Sequence, residues 1–313
     1  ETEGPVARAY HAPVMVTEVL EALAPVGEGF FLDGTVGGGG HTRSILEACS
    51  RCRVLAVDRD PEALDEARSS LSDVRARVRF LHTRFDWAAE DAEVRDRGLD
   101  GALLDLGVSS HQLDEASRGF AFRKGVELDM RMDPTQDEDA IRFLADASEE
   151  RLGRVFREWG EEPRGRRLAR EVVKRRASAP LRTSDDLVAA LTVSLGRPPS
   201  AKEKARVFQA VRIAVTEELQ SLEEGLPALR DVLKDGGVLV VIAYHSLEDR
   251  LVKHAFREWS RSCVCPPEMP VCTCRGRALG KTLTRRPVSP SEAEVSQNPR
   301  ARSARLRAWR KAA

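Results

Sequence analysis

The 313-residue chain has no stretch near the ~18 consecutive apolar residues of a membrane-spanning helix, so no membrane association is expected. It also lacks a basic-then-apolar leader. The opening residues Glu1 to Pro5 are acidic and polar, so no secretory signal is expected and the expected location is the cytoplasm. Position 1 is not Met, which points to a trimmed or renumbered start. There is no internal repeat and no net charge, 50 Lys and Arg balancing 50 Asp and Glu. Hydrophobic residues make up 42% of the chain, enough for a substantial core. Its length exceeds one average domain of ~150 residues, so one large or two unequal domains are expected.

Although the net charge is zero, its distribution is uneven. From Arg275 to the C-terminus there are eleven Lys or Arg against Glu292 and Glu294, and from Arg164 to Ala177 seven against Glu171. Two basic blocks on a neutral chain suit one face that meets a polyanion, or equally a solvated helix face and a frayed tail.

Strand-like apolar runs alternate with helical stretches, the pattern of a parallel sheet. Strands are expected at Phe30–Asp33, Arg53–Asp58, Val78–Leu81, Leu99–Asp105 and Val238–Ala243, with late ones at Lys281–Val288 and Ser303–Trp309. The interval between the fourth and fifth is too long for one crossover and is charged and helix-prone, so it reads as an inserted helical domain. The expected division is a discontinuous sheet domain, 1–112 and 205–313, around an insert at 113–204. Phe208, Val211, Val215, Leu219 and Leu222 form one apolar stripe, expected on a single long helix. Pro227 suits the first turn of the helix after it.

The most informative segment is Asp33-Gly34-Thr35-Val36-Gly37-Gly38-Gly39-Gly40-His41, set between the first strand and a helix start. Glycines there allow positive φ and close backbone approach to a ligand. A dinucleotide fingerprint needs no acid at the strand end. Asp33 before the glycines instead suits the amino-acid end of S-adenosylmethionine. Asp58 ends the second strand, where a carboxylate accepts from both hydroxyls of a ribose; Asp60 suits the cap of the helix after it. Phe85 either packs on an adenine or is a core residue.

Asp105 ends the fourth strand, at the sheet edge where such folds bind ligands. An exocyclic amine conjugated to a base is a weak nucleophile. A hydrogen-bond acceptor on its N–H groups favours the pyramidal attacking form, and Asp105 is the candidate. His245, just past the fifth strand, either orients the base and moves a proton or caps the following helix.

At this point several segments in one order resemble the bacterial 16S ribosomal RNA cytosine-N4 methyltransferase family. They are His11–Met15, Asp33–His41, Asp58–Pro61, Asp105–Asp114, Arg118–Phe122, Leu128–Asp133, Phe208–Ile213, His245–Arg250 and Asn298–Ala304. The resemblance implies a class I S-adenosylmethionine methyltransferase, a Rossmann-like doubly wound, mostly parallel α/β sheet with an all-helical insert. It implies methyl transfer to N4 of a decoding-centre cytidine, with 16S rRNA in the small ribosomal subunit as partner. No protein partner is expected. Cofactor positions implied by the matching motifs are Gly39, Gly40, His41, Asp58, Phe85, Asp105 and Gln112, beside Asp33 and Gly37 of the same loop.

Two stretches depart from the family pattern. Ala201–Arg206 matches the usual Pro-Ala-Thr-Arg only at Ala205 and Arg206, and Tyr244 stands where Phe is common. Other readings are a methyltransferase acting on DNA or a nucleoside, an NAD-dependent oxidoreductase, and a non-catalytic RNA-binding module. No hydride-transfer constellation is evident. The intact set Asp33, Asp58 and Asp105 exceeds what a binding module requires.

Six cysteines remain. Cys49 and Cys52 look structural. Cys263, Cys265, Cys272 and Cys274 are two close pairs separated by prolines, and both zinc and reduced free thiols are open readings. No metal is assigned.

Overall fold

In the computed structural model, residues 13–108, 112, 115, 118–120, 123–266, 269, 271 and 273–313 are described. The motif residues His11, Ala12, Ser109, Ser110, His111, Leu113, Asp114, Ala121, Phe122 and Cys272 lie outside them. The chain divides into two compact units, Glu1–Gly107 with Gln220–Ala313, and Val108–Leu219.

The first unit is built on a seven-stranded sheet of order β3-β2-β1-β4-β5-β7-β6. The strands are β1 Phe30–Asp33, β2 Arg53–Asp58, β3 Val78–His82, β4 Leu99–Asp105, β5 Leu233–Ala243, β6 Gly280–Thr282 and β7 Arg305–Lys311. β1 to β5 run parallel, β5 and β7 pair antiparallel, and β6 pairs antiparallel with β7. This is the class I methyltransferase sheet. All four residues of β1 are buried, as expected of a central parallel strand covered on both faces. Strand order reverses between β1 and β4, so their carboxyl ends, Asp33 and Asp105, flank the switch point where doubly wound sheets form their crevice. Two cores cover the faces, one around Ile45, Val54 and Val240 and the other around Leu32, Leu55 and Phe256.

The second unit is helical: Ala140–Asp146, Glu149–Glu158, Gly165–Arg176, Ser184–Leu195 and Ala201–Thr216, with one isolated bridge between Glu127 and Thr183. Its core gathers Phe143, Phe156, Leu168, Leu191, Phe208 and Val211. Arg118, from the Arg-Gly-Phe motif, is buried here and donates to the Met132 carbonyl at 2.7 Å, so it braces the segment.

Three expectations are corrected. The single long helix is two: Ala201–Thr216 ends at Glu217, which takes a left-handed conformation (φ 53°), and Glu218–Val232 follows. One apolar stripe therefore serves two cores, Phe208, Val211 and Val215 packing in the helical unit and Leu222 in the sheet unit. Hence the compact helical unit runs through Leu219, whereas the sequence placed the return at 205. Pro227 lies inside Glu218–Val232, not at its start. Burial of Leu222, Leu226 and Leu229 against the sheet outweighs the ~3 kcal/mol that an interior proline costs. The expected strand Lys281–Val288 shrinks to β6, with Val288 contributing one bridge to Leu306.

Candidate functional site

The site is assembled by the loop after β1. Asp33 is 1% exposed, and its Oδ2 accepts from Thr42 Oγ1 at 2.7 Å while Oδ1 accepts from the Thr35 N–H at 3.4 Å. It therefore ties the strand end to the first turn of helix Gly40–Ala48 and shapes the loop between them. Burial pushes its carboxyl above the ordinary range, opposed by His41 and by the Thr42 hydroxyl. The Gly34 N–H donates to Leu103 O and the Val36 N–H to Val57 O, so the loop is laid across β4 and β2. A Cβ on Gly34 would stand 2.6 Å from Leu104 Cδ2 and 3.0 Å from Phe85 Cβ, so a side chain here would push on both. Gly37 (φ 51°) has nothing within 4 Å of the place a Cβ would take, so its backbone faces open space. Gly39 (φ 88°) precedes helix Gly40–Ala48 as its N-cap. With no side chain capping that helix start, its first N–H groups suit an anionic or polar ligand.

Asp58 closes the loop from the β2 side. Its Oδ2 accepts from the Gly37 N–H and its Oδ1 from the Asp60 N–H, both at 2.9 Å. Burial raises its carboxyl to about 6, against the two N–H donors that favour the ionised form. Asp60 caps the helix beginning at Pro61 through the Glu62 N–H, as expected. Phe85 is half-buried, in contact with Gly34 and Gly225 and packed on the sheet core.

At the switch point stands Asp105, with 22% of its side chain exposed. Its backbone N–H donates to Thr35 Oγ1 at 2.7 Å, joining it to the glycine loop. Tyr244 donates its hydroxyl to Asp105 Oδ1 at 2.9 Å, and His41 Nε2 faces Oδ2 at 3.5 Å, longer than a formed hydrogen bond. Burial and the neighbouring Asp105 carboxylate hold the Tyr244 hydroxyl well above its ordinary value, so it remains a protonated donor. Burial pushes the His41 imidazole down, but Asp105 and Asp33 outweigh it and leave the imidazole above its usual value. Both ring nitrogens of His41 are buried without a hydrogen-bond partner. A buried imidazole with Asp105 as its nearby acceptor suits the polar group of a ligand.

His245 has a different position. It is the N-cap of helix Ser246–Trp259: Nδ1 accepts from the Glu248 N–H at 3.4 Å and Nε2 lies 3.2 Å from Glu248 Oε1. Glu248 Oε2 in turn accepts the N–H groups of Tyr244 and His245. Of its two readings, capping is the one this geometry favours. Gln112 falls in the helical unit, where it is buried.

Sequence reasoning singled out neither Tyr244 as a site residue nor Thr35 and Thr42. Tyr244 carried a signal, a hydroxyl one residue past a parallel strand; the threonines carried none beyond lying within the loop. The basic blocks are partly structural. Arg307 is buried in a two-pronged pair with Asp249 (2.6 and 3.1 Å), and Arg275 pairs with Glu258. Lys281, Arg285, Arg286, Arg302 and Arg305 stay exposed. On the helical unit, Arg154, Arg157, Arg166 and Arg170 line a cleft of about 690 Å³ with Glu149 and Glu150.

Cys49 and Cys52, which look structural in the sequence, form a disulfide. Cys263, Cys265 and Cys274 are not disulfide-bonded.

Residues 8–312 match the model of the MraW methylase family. A protein named ribosomal RNA small subunit methyltransferase H from Gemmatimonas aurantiaca is 54% identical over 305 residues, covering 97% of this chain and 96% of that protein. One of the same name from Heliobacterium modesticaldum is 46% identical, covering 96% and 98%. An rRNA methylase structure from Streptococcus thermophilus overlays with TM-score 0.44 at 10% identity, covering 95% and 96%, too distant to bear on function. With the loop, the switch-point acid and this end-to-end match in place, the chain belongs to the MraW methylase family.

Proposed function

We propose that this chain transfers the methyl group of S-adenosylmethionine to N4 of a cytidine in the decoding centre of 16S rRNA. The observation that carries the reading is the switch-point group: a part-exposed Asp105 carboxylate oriented by Tyr244, beside a buried His41 with unpartnered nitrogens, above an open glycine loop. Family membership and the names of the relatives support the RNA substrate.

The residues present fit the cofactor. The open backbone at Gly37, the uncapped helix start after Gly39 and the His41 nitrogens supply polar contacts for its amino-acid end. Asp58 and Phe85 suit its ribose and adenine. Asp33 acts through the loop it pins. When bound, the cofactor supplies an electrophilic sulfonium methyl.

Asp105 supplies the acceptor. A carboxylate oxygen taking an N–H of the cytosine amine draws its lone pair out of conjugation, and it accepts the proton as positive charge develops on nitrogen. Tyr244 holds the other oxygen, so the carboxylate does not rotate away. Positioning of amine and methyl in a dry crevice contributes up to roughly 7–11 kcal/mol. N4 is engaged in a base pair within helices, so a single-stranded or splayed-out cytidine is required. The exposed arginines of both units suit RNA phosphates.

The test is incubation with methyl-labelled S-adenosylmethionine and unmodified 16S rRNA, free and in small subunits, followed by nuclease digestion and mass spectrometry. N4-methylcytidine at one position is expected. Label on another atom, or none at any assembly stage, overturns the reading.

A further inference from the structure

The connection between helix Ser246–Trp259 and β6 carries no regular element among its described residues. It is fastened at its far end by Arg275, which donates to Glu258 Oε1 at 2.8 Å and to the Arg261 carbonyl at 3.1 Å, and by the Leu279 N–H on Trp259 O at 2.8 Å. Val264, Met269 and Val271 are exposed on it, so there is little apolar burial to order it. Connections of this length without structure of their own are uncommon in compact domains unless something else holds them.

Three thiols converge in it. The Sγ atoms of Cys263, Cys265 and Cys274 all lie within 4.8 Å of one another, and those of Cys263 and Cys274 are 3.9 Å apart. Thiolates around a tetrahedral zinc, each about 2.3 Å from the ion, stand roughly 3.8 Å from each other. The Val264 N–H points at Cys274 Sγ at 3.3 Å, the kind of backbone donor that supports a metal-bound thiolate.

We propose that Cys263, Cys265 and Cys274 hold a structural zinc ion that fastens this connection beside the end of helix Ser246–Trp259. Cys263 and Cys265 follow the helix and Cys274 precedes Arg275, so the ion would close the intervening loop where the hydrophobic core does not. Three thiolates select a soft ion. The site is separate from the methyl-transfer site and makes no claim on it.

The full chain, purified under reducing conditions without chelator, is analysed for metals by mass spectrometry. One equivalent of zinc per chain is expected, since binding to a thiolate cluster is tight at neutral pH. It should be released by a mercurial reagent as the thiols titrate, and it should fall several-fold in Cys263→Ser and Cys265→Ser. Cobalt in place of zinc should give thiolate-to-metal charge-transfer bands of three or four sulfur ligands. Zinc-free protein with freely reacting thiols, a Cys263–Cys274 disulfide, iron in place of zinc, or a cobalt spectrum of two or fewer thiolates each overturns the proposal. No readout depends on methyl transfer, so failure here leaves the proposed activity untouched.

Discussion

Two loops leave the carboxyl edge of the same parallel sheet. Asp33–His41 follows β1, and Tyr244–Glu248 follows β5. In the second, the polar groups close on one another: Glu248 accepts two backbone N–H groups, and both ring nitrogens of His245 lie against Glu248. In the first, the acid is internally bonded, but Gly37 opens its backbone and neither buried nitrogen of His41 makes a hydrogen bond, Nε2 standing 3.5 Å from Asp105. Buried polar groups in native proteins are nearly always satisfied. Thus the loop that completes its own hydrogen bonds holds a helix, and the loop that leaves some incomplete suits the proposed cofactor. Tyr244 is the exception that joins them, since its hydroxyl leaves the closed loop for Asp105.

Substitutions at four positions sharpen or break that contrast, beginning with the largest effect. Asp105→Asn removes the proton acceptor, and kcat should fall by ~10²–10⁴ with cofactor affinity changed far less; single-turnover methyl transfer with isothermal titration separates the two. An unchanged kcat would end the assignment. Asp58→Ala should weaken S-adenosylmethionine binding by ~100-fold, the loss of charge-assisted hydrogen bonds. Because the Asp58 carboxyl sits at about 6, cofactor affinity should drop as pH falls below that value, roughly tenfold from pH 7 to pH 5. A carboxyl raised on folding contributes stability below its unfolded pKa and loses it as pH rises through about 6. Asp58→Asn should therefore stabilise the unliganded fold at pH 7 while it flattens the pH dependence of binding, both measurable by thermal melts and titration.

Tyr244→Phe keeps the ring and removes one hydrogen bond to Asp105; kcat should fall by about tenfold with the cofactor KM unchanged. His245→Ala should have the smallest catalytic effect. Losing the cap costs about 1 kcal/mol, a few degrees in melting temperature, and His245→Asn should restore it. A collapse of kcat in both His245 variants, with melting unchanged, would show that the second loop is not closed on itself.

Much of the sheet was legible. β1, β2 and β4 are short apolar runs ending in an acid, the pattern of strands buried on both faces of a parallel sheet. Pro227 misled because local propensity disfavours a proline there, whereas the leucines around it are held by the sheet. The break at Glu217 was invisible because the apolar period continues across it while the packing partner changes. Arg307 counted toward a basic surface by charge alone, but β7 carries it inward to Asp249. For the candidate site, Asp33, Gly37, Gly39, Gly40, His41, Asp58 and Asp105 could be named because a strand end, glycines and carboxylates carry their chemistry in their type and spacing.

By itself the sequence determined the parallel sheet, the glycine loop, the acids at the strand ends and the family, since each follows from local pattern or motif order. Tertiary structure alone decided which of those groups are already occupied. Asp33 bonds to Thr42, His245 lies against Glu248, and Tyr244 reaches Asp105 across 139 positions of chain. A hydrogen bond depends on where two atoms meet in space, and residues far apart in sequence leave no trace of that meeting until the sheet has brought their strands together.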